Sequence, residues 1–361
     1  MMTTNNEKRN TKLYDKIFGC IAASNIGSSM GAMVETWDPE RIKDKYGVLD
    51  RLEGYCHYGA YQRKPGTTED GIERQRLLVS AIKEKGGRIT AEDLREIWIR
   101  DINPEKFNVQ MEPCDEILYK LAAAGMPAGN VGQYSDYMGI VSFARSCHPV
   151  GLINACNPHQ AYVDTFDVGR LYQPLHGLGL DWATVLSAGI AEAMKPTATV
   201  DSVVDASLRY VHVKVRNEIE RALEATKNCE SIEDMKPWFY QHYNGVGTPY
   251  CYSMGNEIIT KGVCLFYVGK GNPKDLVIGA VNFGRDTDCL AAVSSGLGGA
   301  LSGASSLRQD WIDTVDDAMT TNEHTVSRRS LAEMADVVYD GVINERAKMQ
   351  DQANAISELI K

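Results

Sequence analysis

The sequence predicts an all-α fold, a single compact domain of a dozen or more helices. Three observations carry this. Helix-start signals recur from one end of the chain to the other, apolar residues fall at helical rather than alternating spacing, and two-residue hairpin turns are scarce. The 361 residues include 43% apolar and 24% charged side chains, the balance of a globular chain with a sizeable core. No composition shift or Pro/Gly/Ser linker divides it. One domain over 1–361 is expected, with 1–11 a flexible N-terminus.

The elements follow in order. Ile17, Phe18, Ile21 and Ala22 form the first apolar stripe. Thr90 precedes AEDLREIWIRD with Asp93 three residues on, a capping box. Asn157 precedes Pro158, with Gln160 completing the same start signal. Asp181 opens WATVLSAGIAEAM, which stops before Pro196, and Thr199 to about Asn228 reads as one long helix or two. Ser231 with Asp234, Asn272 before Pro273, and Ser330 with Glu333 repeat the signal, the last opening a helix to the end of the chain. Leu290 to Leu307 is the least polar stretch, but it is mostly Gly, Ala and Ser and too short for a membrane span. The stretches 47–67, 125–157 and 243–255 are richest in turn residues, and long loops in a helical domain tend to form sites.

A net charge of −10 argues against nucleic acid as a partner. Nine cysteines are scattered without a CxxC pair, which excludes zinc ribbons and thioredoxin-type motifs and suits a reducing, cytoplasmic setting. The first residues carry no apolar run, so no secretory signal is expected, and no membrane association.

Three clusters carry chemistry. Thr67-Thr68-Glu69-Asp70 stands directly before the helical run GIERQRLLVSAIKEK. Its bland reading is a capped helix start with acids at the positive dipole end; its functional reading is a cation site of hard oxygen ligands. Asp286 and Asp288 sit where Asn282-Phe283-Gly284-Arg285-Asp286-Thr287-Asp288-Cys289 enters LAAVSSGLGGALSGA. Four glycines in that run would each cost about 1 kcal/mol against Ala in an isolated helix. Such a helix makes sense only at the centre of the fold, with neighbours packed close. Two carboxylates at its inward end then need a partner charge, which a divalent ion supplies. The third cluster is Gly27-Ser28-Ser29-Met30-Gly31 through Glu35, whose bland reading is an exposed acid after a helix.

Other residues weigh less. His57, His148, His159 and His176 fall in or near turn-rich stretches, and a lone His is more often structural than catalytic. Cys289 has no histidine near it in sequence, against a thiol nucleophile. Tyr55-Cys56-His57-Tyr58-Gly59-Ala60-Tyr61 reads equally as loop packing or as a wall that stacks on a ring.

Taken together, these clusters resemble the ADP-ribosylglycohydrolase superfamily in motif and order over most of the chain. Its G-D-A-x-G-x-x-x-E pattern corresponds to Gly27 through Glu35, its T-D-D to Thr68-Glu69-Asp70, and its G-x-D-x-D-T to Gly284 through Cys289; PVGLINACNPHQAYVDTFDVGRLY is similar to its P-x-G…NP…A stretch. The resemblance implies an all-α fold and two divalent ions, magnesium or manganese, held by Thr68, Glu69, Asp70, Asp286, Asp288 and Cys289. It implies a glycosidase acting at the ribose anomeric carbon of an ADP-ribosylated protein or a small ribosylated molecule. Glu35, Glu69 and Asp70 are the expected acid–base groups, and Tyr58, Tyr61, Tyr172 and His176 the expected substrate contacts. A monomer or small homo-oligomer is expected.

Departures qualify the parallel. Ser28 and Glu69 each stand where the family has Asp. Cys289 stands where it has Thr, and a thiol prefers softer ions, weakening one of the two ion positions. Leu171-Tyr172 replaces a Ser/Thr-His, with His176 four residues on. These shift weight toward a small ribosyl substrate. They also support an alternative, a catalytically inactive member that binds a ribosyl ligand or serves a structural role.

Overall fold

Two helices, Lys12–Ala32 and Thr287–Ser302, lie antiparallel at the centre of the fold. Both are buried along almost their whole length. Small residues make the approach possible. A β-carbon on Gly19 would stand 2.5 Å from the carbonyl carbon of Gly303, and one on Gly27 would stand 2.7 Å from that of Ala291. Ser295 Oγ donates to the carbonyl of Ala23 at 2.8 Å, tying one backbone to the other. The glycines that would weaken a solitary helix are thus what lets this one be central.

The computed structural model describes residues 5–57, 61–107, 111–112, 114–136, 138–243 and 253–361. Among them are 18 α-helices and one two-stranded antiparallel hairpin, Tyr55–His57 with Tyr61–Arg63. Around the central pair pack Gly179–Ala193, Gly255–Val268, Pro273–Val281 and Leu331–Leu359. Lys16 fixes one end of this arrangement. Its Nζ donates to the carbonyls of Ala193 at 2.7 Å and Leu301 at 2.7 Å, placing a cation at the negative ends of two helices. No described helix is long and apolar enough to cross a membrane. The eight described cysteines are all free.

Most of the predicted caps form, but Ser231 caps no helix: its amide donates to Asp234 Oδ2 at 2.9 Å ahead of the 3₁₀ turn Glu233–Met235, which has no side-chain cap. Thr90 with Asp93 and Ser330 with Glu333 are reciprocal capping boxes. Asn157 accepts from the Gln160 amide at 3.2 Å, and Asn272 from that of Lys274 at 3.1 Å. Thr199 to Asn228 is two helices, Val200–Arg209 and Val213–Thr226.

Other expectations need correction. From Asn5 on, the N-terminus is not a loose tail but a short helix, Asn5–Arg9. Lys8 Nζ lies 3.3 Å from Asp336 and 3.2 Å from Asp340, and Arg9 Nη2 lies 2.6 Å from Asp336. These pairs join it to the last helix. The helix expected to open at Asp181 starts at Gly179, because Asp181 accepts instead from the His212 amide at 3.0 Å. The turn-rich stretch 125–157 is largely built of short helical segments, among them His148–Ile153. Most of 243–255 lies outside the described residues.

Candidate functional site

Asp286 is the N-cap residue of the central helix Thr287–Ser302, and its side chain does not cap it. Asp286 is fully buried and Asp288 nearly so. One oxygen of Asp286 accepts from Ser253 Oγ at 2.7 Å. The other, Oδ1, has no hydrogen-bond partner, and neither has Asp288 Oδ1. Cys289 joins them: one ligand atom from each of the three lies within 4.8 Å of the others. Buried carboxylate oxygens without a donor are costly. Burial, and behind it the charge of Asp286, pushes the Asp288 carboxyl well above its ordinary range. The donor set, two carboxylates with a thiol beside them, fits a divalent cation.

The backbone that carries this cluster is held from two sides. Thr287 Oγ1 donates to the carbonyl of Gly31 at 2.7 Å. The Thr36 amide donates to the Arg285 carbonyl at 2.8 Å, and the Arg285 amide returns to the Trp37 carbonyl at 2.8 Å. This exchange brings the segment after the first long helix, with half-buried Glu35 in it, alongside the residue before Asp286. Arg285 has φ +67, a left-handed conformation uncommon for a side chain of its size. Its guanidinium is anchored on the fully buried Glu257 through Nε at 2.6 Å and Nη2 at 2.9 Å, and Lys261 donates to the same carboxylate.

Thr68, Glu69 and Asp70 are brought to the same region. Thr68 and Glu69 are buried. The cap position of the helix Asp70–Lys85 is Glu69, not a threonine, and no side chain caps it. The Glu69 amide donates to Ser28 Oγ at 3.4 Å, so Ser28 supports this turn from the first long helix. Glu69 Oε1 accepts from the buried Tyr55 hydroxyl.

Arg145 links the two clusters. It lies at the end of the 3₁₀ turn Ser142–Arg145 and is 6% exposed. Nη2 donates to Asp70 Oδ2 and to Glu112 Oε1. Nη1 donates to Cys289 Sγ at 3.0 Å and stands 3.9 Å from Asp288 Oδ2. A second guanidinium, Arg74, lies 3.3 Å from Asp70 and also holds Asp115 and Glu112. Burial and the neighbouring Glu112 push Asp70 up to about 8 against the pull of Arg145. Glu112 goes the other way: burial raises it, but Arg145 and Arg74 hold it below the ordinary range. Burial lifts the Cys289 thiol well above its usual value despite Arg145, so it stays a thiol rather than a thiolate nucleophile.

The sequence reading missed Arg145, Arg74, Glu112, Asp115 and Ser253. Its only signal for Arg145 was that 125–157 is rich in turn residues.

Of the expected substrate contacts, Tyr172 and His176 can be placed. Tyr172 is 1% exposed, stacked on Phe143 at 5.1 Å and edge-on to Trp98 at 4.8 Å, with its hydroxyl accepting from Trp98 Nε1 at 3.2 Å. That is the packing of a core aromatic. His176 is exposed on the turn before Gly179. Tyr58 lies outside the described residues, and Tyr61 is described only by its place in the hairpin. His148, expected near a loop, is fully buried. Its Nε2 donates to the Ala292 carbonyl at 3.0 Å and its Nδ1 accepts from Gln75 at 3.1 Å.

The model of the family described as ADP-ribosylglycohydrolase matches residues 9–348. Among curated proteins, the chain is 23% identical over 310 residues to Uncharacterized protein YegU of Escherichia coli (strain K12), covering 81% of this chain and 89% of that one. Among solved structures, a chain of an ADP-ribosylglycohydrolase-related protein complex has a TM-score of 0.64 at 14% identity, covering 92% of this chain and 98% of that one. At that identity the likeness is one of fold.

Proposed function

Since the chain belongs to the ADP-ribosylglycohydrolase family, we propose that it is a divalent-metal-dependent hydrolase that cleaves a glycosidic bond at a ribose anomeric carbon. The observation that carries this reading is the pair of buried, unpartnered oxygens on Asp286 and Asp288 beside Cys289. In this reading those carboxylates hold magnesium or manganese. Bound there, such an ion supplies Lewis-acid stabilisation of developing charge and a more acidic water.

The chain's own residues do the rest. Ser253 and the Thr287 bond to Gly31 fix the orientation of the carboxylate turn. Burial keeps bulk water from the two aspartates, so their charges act in a low-dielectric setting. Asp70, raised by burial and by the neighbouring Glu112 while Arg145 and Arg74 hold it in place, is the candidate acid for the leaving group. Glu69, with Tyr55 donating to it, and Glu35 are the candidate bases. Substrates in keeping with this set are ADP-ribosylated side chains, O-acyl-ADP-ribose and small N-ribosyl compounds.

The test is release of free ribose or ADP-ribose from a panel of these compounds, with manganese or magnesium and with EDTA. Metal-dependent release that Asp288→Asn abolishes is the expected result. A protein that binds no metal and releases nothing from any of them is a non-catalytic member.

A further inference from the structure

We infer that the site takes one divalent cation, at Asp286 and Asp288, and that the Arg145 guanidinium occupies the place of a second. This rests on the metal-dependent reading above and sharpens it: the family resemblance leads one to expect two ions, and the residues present fit one.

The argument is one of charge and of committed lone pairs. The only fully buried carboxylate oxygens without a hydrogen-bond partner among the described residues of the two motifs are Asp286 Oδ1 and Asp288 Oδ1, and both belong to the helix-entry turn. Asp70, from the other motif, has one oxygen already held between two guanidiniums. Its Oδ2 takes an N–H from Arg145 and lies 3.3 Å from Arg74. A cation bound by Asp70 would have to displace or crowd two buried guanidiniums, neither of which can shed its proton. Arg145 closes the other side as well, since Nη1 donates to Cys289 Sγ at 3.0 Å. The thiol, a poor ligand for a hard ion, is thereby employed as an acceptor for arginine.

The chain also makes room for this arginine. A β-carbon on Gly71, the residue after Asp70, would meet Arg145 Cδ at 3.0 Å and Nε at 3.2 Å. The glycine leaves the channel through which the arginine stem reaches between the two motifs. Arg145 is 6% exposed, so its charge is a fixed part of the site rather than a surface group that swings in.

The experiment is a manganese(II) titration of the metal-stripped full chain, followed by calorimetry and by electron paramagnetic resonance. Wild type is expected to bind one ion per chain with the hyperfine pattern of an isolated Mn(II). Arg145→Met, which keeps the stem and removes the charge, is expected to bind two, with the spectrum of a spin-coupled pair. Arg145→Lys, which keeps a cation, is expected to stay at one. Two coupled ions in wild type overturn the inference while leaving the metal-dependent reading intact. No ion in wild type removes both. A folded Arg145→Met that still takes only one ion overturns the role given to the arginine. Should that variant fail to fold, the wild-type count and spectrum decide.

Discussion

The α-carbon of Asp288 lies 2.5 Å from the point a β-carbon on Gly31 would occupy. The turn that carries the buried carboxylates is thus pressed directly against the backbone of the first long helix, with the Thr287 hydroxyl bonded to the Gly31 carbonyl. This carboxylate turn has the position it has because position 31 has no side chain.

Gly31→Ala is therefore expected to destabilise the fold by about 1–3 kcal/mol or more, the range for overpacking against atoms that cannot give way. Because the relief must come from the Thr287–Asp288 backbone, it is also expected to weaken manganese binding. Urea midpoints and a manganese titration check both. Unchanged affinity in a destabilised variant would show that the turn does not depend on this contact.

Asp288→Asn is expected to act in opposite directions with and without metal. Burial and the nearby Asp286 raise the Asp288 carboxyl well above its ordinary range, so the metal-free protein gains from losing that charge. With metal at a hundredfold excess over its dissociation constant, wild type gains about 2.7 kcal/mol by mass action, and the variant loses most of that gain. Melting temperatures of both proteins in EDTA and in manganese measure the two effects.

Cys289→Thr replaces a thiol by a hydroxyl, a better ligand for a hard ion. Tighter magnesium binding than wild type is the expected outcome, read by calorimetry. Because Arg145 loses its sulfur acceptor, the gain is expected to be larger in combination with Arg145→Met than alone, and a double-mutant cycle measures that coupling.

His148 makes stability depend on pH. Burial lowers its ring from 6.5 to about 4 in the folded chain, only partly offset by the bond to Ala292. Below pH 6.5 the unfolded chain takes a proton that the folded chain refuses, so this residue's contribution to stability falls as pH drops from 6.5 to 4. The full loss is about 3 kcal/mol at 1.36 kcal/mol per unit. His148→Gln does not titrate, so its stability relative to wild type is expected to rise steadily across that window. Urea midpoints at several pH values between 7 and 4 test this, and parallel curves would contradict it.

Glu257→Gln is expected to cost about 3–5 kcal/mol, since it leaves Lys261 buried without its carboxylate and releases Arg285. The left-handed Arg285 backbone immediately precedes Asp286, so weaker manganese binding is expected to accompany the loss. Denaturation and metal titration on the same sample separate the two.

The sequence by itself determined the all-α class and those helix starts that local caps encode. Caps such as Thr90 with Asp93 and Ser330 with Glu333 join residues three apart, so the local chain encodes them. The glycines of the Thr287–Ser302 helix announced that it is central, because only a tightly packed partner offsets their cost. The tertiary structure alone decided which charges meet. Arg145 is 75 residues from Asp70 and 144 from Cys289, and nothing in its own neighbourhood of sequence marks it as the cation between them. It decided too that Tyr172 and His148 are interior residues and that Lys8 ties the first helix to the last. Periodicity tells which face of a segment is buried. Which distant groups share that burial depends on the packing of several helices at once, and the charge balance of this cluster is set there.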